Sequence, residues 1–284
     1  MLDPVSVPLT VHVSETETVS ALFIRPEQAR AGYVLAHGAG AGMNHPFMAS
    51  VSVGLAERGI ATLRYQFPFM QRGSKRPDSP MLARTTVRAA VAAASGVMPD
   101  VTLFAGGKSF GGRMTSQAQA EAALPQVRGL IFLGFPLHPA KQPSQKRAEH
   151  LAQAGCPMLF LQGTRDELAD MALMRTVTER LGERATLQWF EDADHSFHVR
   201  AQWTHGSASA QLNAGRNRRV DDYAVTFFLR GGFKSTQAGA WSLAPVSPRM
   251  VLSTLASAMR EDRAGLINRW SSRNPASRPQ RPRL

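Results

Sequence analysis

Cysteine is almost missing. Cys156 is the single one in 284 residues, so no intramolecular disulfide can form, and the composition fits a reducing compartment. Long apolar runs are missing too, and no stretch approaches the roughly 20 apolar residues that a membrane-spanning helix needs. The opening "MLDPVSVPLTVHVSETETV" lacks the basic start and apolar centre of a secretory signal, which sets the expectation of a soluble cytoplasmic protein. Acidic residues become scarce late in the chain. Residues 199–284 hold 14 Lys/Arg against 4 Asp/Glu, whereas residues 1–198 hold 19 against 17. The formal net charge of +12 therefore belongs to the C-terminal part and says little about what the near-neutral remainder binds. Arginines close to phosphate would give salt-sensitive nucleic-acid binding. A disordered basic terminus has the same composition, and nucleic acid is not the expected partner.

What is present is an alternation of strands and helices within a chain that is 43% hydrophobic. Residues 9–13 and 19–24 alternate apolar and polar around "SETET", which predicts an antiparallel hairpin. Short apolar strands are predicted at 33–36, 60–65, 101–105, 130–133, 158–161 and 187–190. Helices are predicted at 45–58, closed by Gly59, and at 82–97, 113–122 and 171–181. This pattern implies an α/β fold, a mostly parallel sheet with helices on both faces and an N-terminal antiparallel hairpin. The expected domain is 1–230, best supported over 20–198, with a last packed element near 223–229. Residues 231–284 read as a basic, largely disordered tail containing one candidate helix, 250–270.

The stretch "FAGGKSFGGRM", residues 104–114, admits two readings. Gly107-Lys108-Ser109 looks like the end of a phosphate-binding loop. That loop needs a glycine five positions earlier, where Thr102 stands inside an apolar strand. The other reading is G-x-S-x-G: a serine on a sharp strand-to-helix turn, flanked by Gly107 and Gly111, with a strand before it and a helix after. Lys108 is then the variable residue of the turn, free to face the site without doing the chemistry.

A serine nucleophile needs a base, and the base an orienting acid, in the chain order Ser, Asp or Glu, His. Asp166 follows the strand of "PMLFLQGTRD" and His195 that of "TLQWFEDADHSF", so Ser109, Asp166 and His195 fall in that order. Glu167 and Asp170 are alternatives to Asp166, which is favoured because it lies nearest the strand end. His198 is an alternative base, and Asp192 and Asp194 read as loop carboxylates. His195 and His198 lack the further ligands of a metal site. The oxyanion donors are expected to be the N–H of Phe110, which begins the following helix, and that of Ala39 in the loop "HGAGAGM". A dinucleotide reading of that loop fails because Met43 stands where a third glycine is wanted. The loop 65–80 would shape the pocket, and its Arg72, Lys75 and Arg76 read as a solvated basic loop rather than an acid-binding one.

Together, "HGAGAGMNHPFM", "RYQFPF", "GGKSFGGRM", "FLGFPLHP", "LFLQGTRD" and "DADHSFHV" resemble the α/β-hydrolase superfamily. More narrowly, they resemble the dienelactone-hydrolase-related branch that includes testis-expressed protein 30 and a subunit of the non-specific-lethal complex. The resemblance implies an α/β-hydrolase sheet with Ser109, Asp166 and His195 as triad and the 37–42 loop near the oxyanion, and the expected activity is that of a serine hydrolase acting on a small-molecule ester, thioester or lactone, with no cofactor and no metal. It also implies an alternative, a catalytically silent interaction module with a protein partner.

Overall fold

Strands that are apolar on both faces must be covered on both faces, and five of the strands in this chain are buried along nearly their whole length. The computed structural model describes residues 6–198 and the backbone of Lys234–Ser235 and Trp241–Ser242. The elements run β1 (Val7–His12), β2 (Thr18–Ile24), β3 (Ala31–Ala36), α1 (Pro46–Ala56), β4 (Ile60–Tyr65), α2 (Pro68–Gln71), α3 (Pro80–Val97) and β5 (Thr102–Lys108). They continue with α4 (Phe110–Glu121), β6 (Val127–Leu133), β7 (Met158–Gly163), α5 (Met171–Leu181) and β8 (Ala185–Phe190). A 3₁₀ segment, Lys146–Gln153, precedes β7, and α2 lies in the stretch 65–80 that the sequence reads as a loop. The two short strands Lys234–Ser235 and Trp241–Ser242 pair with each other.

The chain divides into Met1–Leu243 and Ala244–Leu284, and every described residue lies in the first unit. The expected boundary at 230, the packed element near 223–229 and the candidate helix 250–270 fall outside the described residues.

The eight strands form one sheet in the order β1-β2-β4-β3-β5-β6-β7-β8. β1 pairs antiparallel with β2, and β2 with β4; all the other pairings are parallel. The chain leaves β3 to one side to form β4, then returns to its other side to form β5. Loops leaving β3 and β5 therefore diverge, opening a crevice at the carboxyl ends of these strands. Helices α3, α4 and α5 share the larger core with Leu63, Phe132 and Phe160, while α1 covers the other face of β4 with Val51 and Leu55. Phe132 stands at the centre, with ring centroids 4.8 Å from Phe160 and 5.2 Å from Phe135.

The crevice depends on close backbone approach at the end of β5. Gly107 has φ 141°, and a Cβ there would run into the carbonyl of Ala36 on β3. Gly107→Ala is therefore expected to destabilise the fold by about 3 kcal/mol or more, since it adds strain to an unrelievable clash. Gly96, in α3, has nothing within 4 Å of an added Cβ. The same change there should be neutral or stabilise by about 0.5 kcal/mol. Urea denaturation of the two variants checks the opposite signs.

Candidate active site

Ser109 is the hinge between β5 and α4, with φ 49° and ψ −114°. Few side chains tolerate that backbone, so it has to be held from outside. The Ser109 N–H donates to the carbonyl of Leu133 on β6 at 3.2 Å. Gly111 lets α4 approach β3 so closely that a Cβ there would meet the carbonyl of His37. The helix thus starts directly behind the serine. As its first residue, Phe110 has an N–H without an intrahelical partner.

Two loops complete the arrangement. After β7, Asp166 is buried; its Oδ1 accepts from the Leu168 N–H at 2.8 Å and its Oδ2 from Gln162 Nε2 at 2.5 Å. After β8, Asp194 knots the loop by accepting from the N–H groups of Ser196 and His198, at 2.8 and 2.9 Å. The knot presents His195, whose Nδ1 lies 2.7 Å from Asp166 Oδ2 and whose Nε2 lies 2.9 Å from Ser109 Oγ. A carboxylate only accepts, so Nδ1 carries the ring proton and Nε2 is left to accept from the serine hydroxyl. The structure thereby joins Ser109, His195 and Asp166 in one hydrogen-bonded chain.

The alternatives are occupied elsewhere. Asp170 caps α5 by accepting from the Leu173 N–H at 2.9 Å, and Glu167 is exposed. Asp192 pairs with Arg165 at 3.0 Å. The His198 side chain is 81% exposed, too far into water to serve as an oriented base. His195 spends both nitrogens on Asp166 and Ser109, and among the described residues no group of three His, Cys, Asp or Glu side chains is arranged to hold a metal. Arg72 is tied to Glu17 and Asp78 at 2.9 and 2.8 Å, leaving Lys75 and Arg76 exposed in water.

The loop after β3, which carries Ala39, runs alongside the serine: a Cβ on Gly38 would sit 3.8 Å from Ser109 Cβ. It is anchored at both ends. His37 Nδ1–H donates to the Gly38 carbonyl at 2.7 Å, and Nε2 accepts from the Phe67 N–H at 2.9 Å. At the far end, the Met43 N–H donates to Gln66 Oε1 at 2.9 Å and the Met43 carbonyl accepts from Arg64 at 3.0 Å. Gln162, Gln66 and Arg64 are absent from the sequence-level reading. Their one signal is a lone polar residue at or beyond the end of a buried strand. Lys108 does face the site, and its Nζ donates to the His195 carbonyl at 2.5 Å, a contact the sequence-level reading does not contain. A groove of about 400 Å³ adjoins His195, lined by Arg165, Glu167, Leu168, Asp194 and His198. A depression of about 470 Å³ across α3 and α4 includes none of the residues of this hydrogen-bonded chain.

An eight-stranded, mostly parallel sheet with a serine on a strand-to-helix turn at its crossover point defines an α/β hydrolase fold. The chain belongs to that family: residues 29–219 match the family described as "Alpha/beta hydrolase domain". Its fold is similar to that of a dienelactone hydrolase from Anabaena variabilis, with a TM-score of 0.61 and 21% identity over 80% of this chain and 98% of that one. It is also similar to an α/β serine hydrolase without a lid from Xanthomonas campestris, with a TM-score of 0.55 and 23% identity over 68% and 87% of the two chains. Est1E from Butyrivibrio proteoclasticus, solved with ferulic acid bound, has a TM-score of 0.57 at 16% identity over 78% and 98%.

Burial pushes the pKa of His37 down from 6.5 to about 4, so its ring is neutral and able to accept from Phe67. The unfolded chain takes up this proton at higher pH than the folded one. His37 therefore contributes stability above about pH 6.5 that is lost as pH falls through about 4. The loss should amount to about 2–3 kcal/mol. Comparing urea denaturation at pH 7 and pH 4, His37→Gln is expected to lose less stability on acidification than the wild type, by about that amount.

Proposed function

We propose that this chain is a serine hydrolase that cleaves an ester, thioester or lactone bond of a small molecule through an acyl-enzyme on Ser109. The observation that carries the reading is the hydrogen-bonded chain from Asp166 through His195 to Ser109, ending on the strained turn that carries the serine. In the first half-reaction, Ser109 Oγ attacks the carbonyl carbon as its proton passes to His195 Nε2. Asp166 keeps the ring in the tautomer that can accept that proton and stabilises the imidazolium once it forms. The N–H groups of Phe110 and Ala39 receive the charge that develops on the carbonyl oxygen. As the tetrahedral intermediate collapses, His195 returns the proton to the leaving oxygen or sulfur. Water then repeats the sequence against the acyl-enzyme, restoring Ser109 and releasing the acid. The sequence of steps needs no cofactor.

The motif set further supports kinship with the branch containing testis-expressed protein 30 and the non-specific-lethal complex subunit. Cys156, free and buried, agrees with a reducing, cytoplasmic setting. No described helix is long and apolar enough to cross a membrane.

A fluorophosphonate probe should label the wild type and leave Ser109→Ala unlabelled. On an ester and thioester panel of graded acyl length, Asp166→Asn should lower kcat by about 10³- to 10⁴-fold, with KM changed far less. A folded wild-type protein that takes no label and turns over no member of the panel would sink the enzymatic reading. The interaction-module reading would then take its place.

A further inference from the structure

Lys108 puts a long, half-buried cation into the G-x-S-x-G turn. Nζ donates to the His195 carbonyl at 2.5 Å and lies 5.3 Å from the centroid of the Phe197 ring. A Cβ on Gly134 would come within 3.1 Å of Nζ and 3.5 Å of His195 Cε1, so the ammonium and the imidazole share the space that Gly134 leaves open. Among the described residues no carboxylate pairs with it; Asp166 and Asp194 act on it only through space. Even partial burial of an ammonium without an ion pair is costly, and the contacts it makes show what offsets that cost. Lys108 is covalently joined to Ser109 and hydrogen-bonded to the backbone of His195, so a single side chain spans both partners of the proton transfer.

We propose that Lys108 is a positioning residue whose ammonium fastens the His195 loop at the height where Nε2 meets Ser109 Oγ. This role deepens the serine-hydrolase reading and rests on it for its kinetic consequence. The loop needs a fastening of this kind. Asp192 and Phe197 both hold positive φ, 59° and 63°, a conformation that persists only where the surroundings enforce it. Phe197 is enclosed by Phe190, Phe47 and the Lys108 ammonium, and His195 is gripped through its carbonyl. The charged groups facing Lys108 are Asp166 from the loop after β7, and Asp194 from the loop after β8, which also carries His195. The loops after β3 and β6 bring Gly38 and Gly134. Burial lowers the Lys108 pKa to about 8 against the opposing pull of Asp166 and Asp194. Above that pH, a charge-assisted hydrogen bond to the carbonyl becomes a weaker neutral one.

The test compares full-length wild type, Lys108→Met and Lys108→Arg. Lys108→Met should lower kcat and the rate of fluorophosphonate labelling by about 10- to 100-fold, with KM within about threefold. The wild type should lose kcat as pH rises through about 8; that limb should vanish in Lys108→Met and move to higher pH in Lys108→Arg, which recovers most of the rate. Hydrogen exchange at residues 193–198 should quicken in Lys108→Met whether or not the protein is a hydrolase. Wild-type kcat and pH profile in Lys108→Met would overturn the role, as would a raised KM at unchanged kcat, which would mark a substrate contact. If the wild type takes no label, the hydrolase reading fails by itself, and unchanged exchange at 193–198 would then overturn the fastening separately. If Lys108→Met does not fold, the wild-type limb near pH 8 and its displacement in Lys108→Arg decide.

Discussion

At the end of β5 the chain must turn from strand to helix within one residue, and that residue is Ser109, at φ 49° and ψ −114°. Such a backbone costs about 1–3 kcal/mol and survives only where its surroundings over-determine it. Here the surroundings are the neighbouring strands. β6 takes the Ser109 N–H through Leu133, and β3 lies so close that neither Gly107 nor Gly111 has room for a Cβ. The order β4-β3-β5-β6 is therefore more than a topology label. It puts the flanking strands where they hold the turn, and puts the start of α4 directly behind the serine.

With the serine held by the sheet, precision is left to loops, and each loop is fastened by a buried polar contact. Asp166 is held by Gln162 and the Leu168 N–H, so the acid is fixed before His195 arrives. The glycine-rich loop after β3 hangs between His37 and the pair Arg64 and Gln66. Two histidines thus do opposite things. His37, sealed in and neutral, is a backbone anchor, whereas His195, with its side chain 25% exposed, sits between an acceptor and a hydroxyl. Burial separates the ring that only anchors backbone from the one that reaches the serine hydroxyl.

This division explains what could be read from the amino-acid order. The strands from 33 to 190 were legible because each is an apolar run bounded by turn residues, a local signal. Ser109 was legible because the strained turn demands glycines at fixed offsets, again local. Asp166 and His195 were legible only as candidates, since Glu167, Asp170 and His198 lie as near in sequence. What separates them is three-dimensional: Asp170 is used as a helix cap, His198 lies in water, and Gln162 reaches Asp166 alone. Arg64, Gln66 and Lys108 escaped for the same reason, because each acts on a backbone atom 21, 23 or 87 positions away. The short α2 escaped because a single turn beginning with proline carries no periodicity.

The same distinction bears on charge. The net +12 says little about the surroundings of Ser109, where the arginines are mostly spoken for. Arg72 is divided between Glu17 and Asp78, Arg165 is paired with Asp192, and Arg64 is turned to the Met43 carbonyl. The groove beside His195 carries Glu167 and Asp194 as well as Arg165. The surface around Ser109 therefore carries mixed, largely compensated charge at short range, while the excess of arginine lies in the residues after 198. Close to the turn, shape is set by aromatic side chains, with Phe197 stacked on Phe47 at 6.1 Å and lying 5.3 Å from the Lys108 ammonium, rather than by the field of the whole chain.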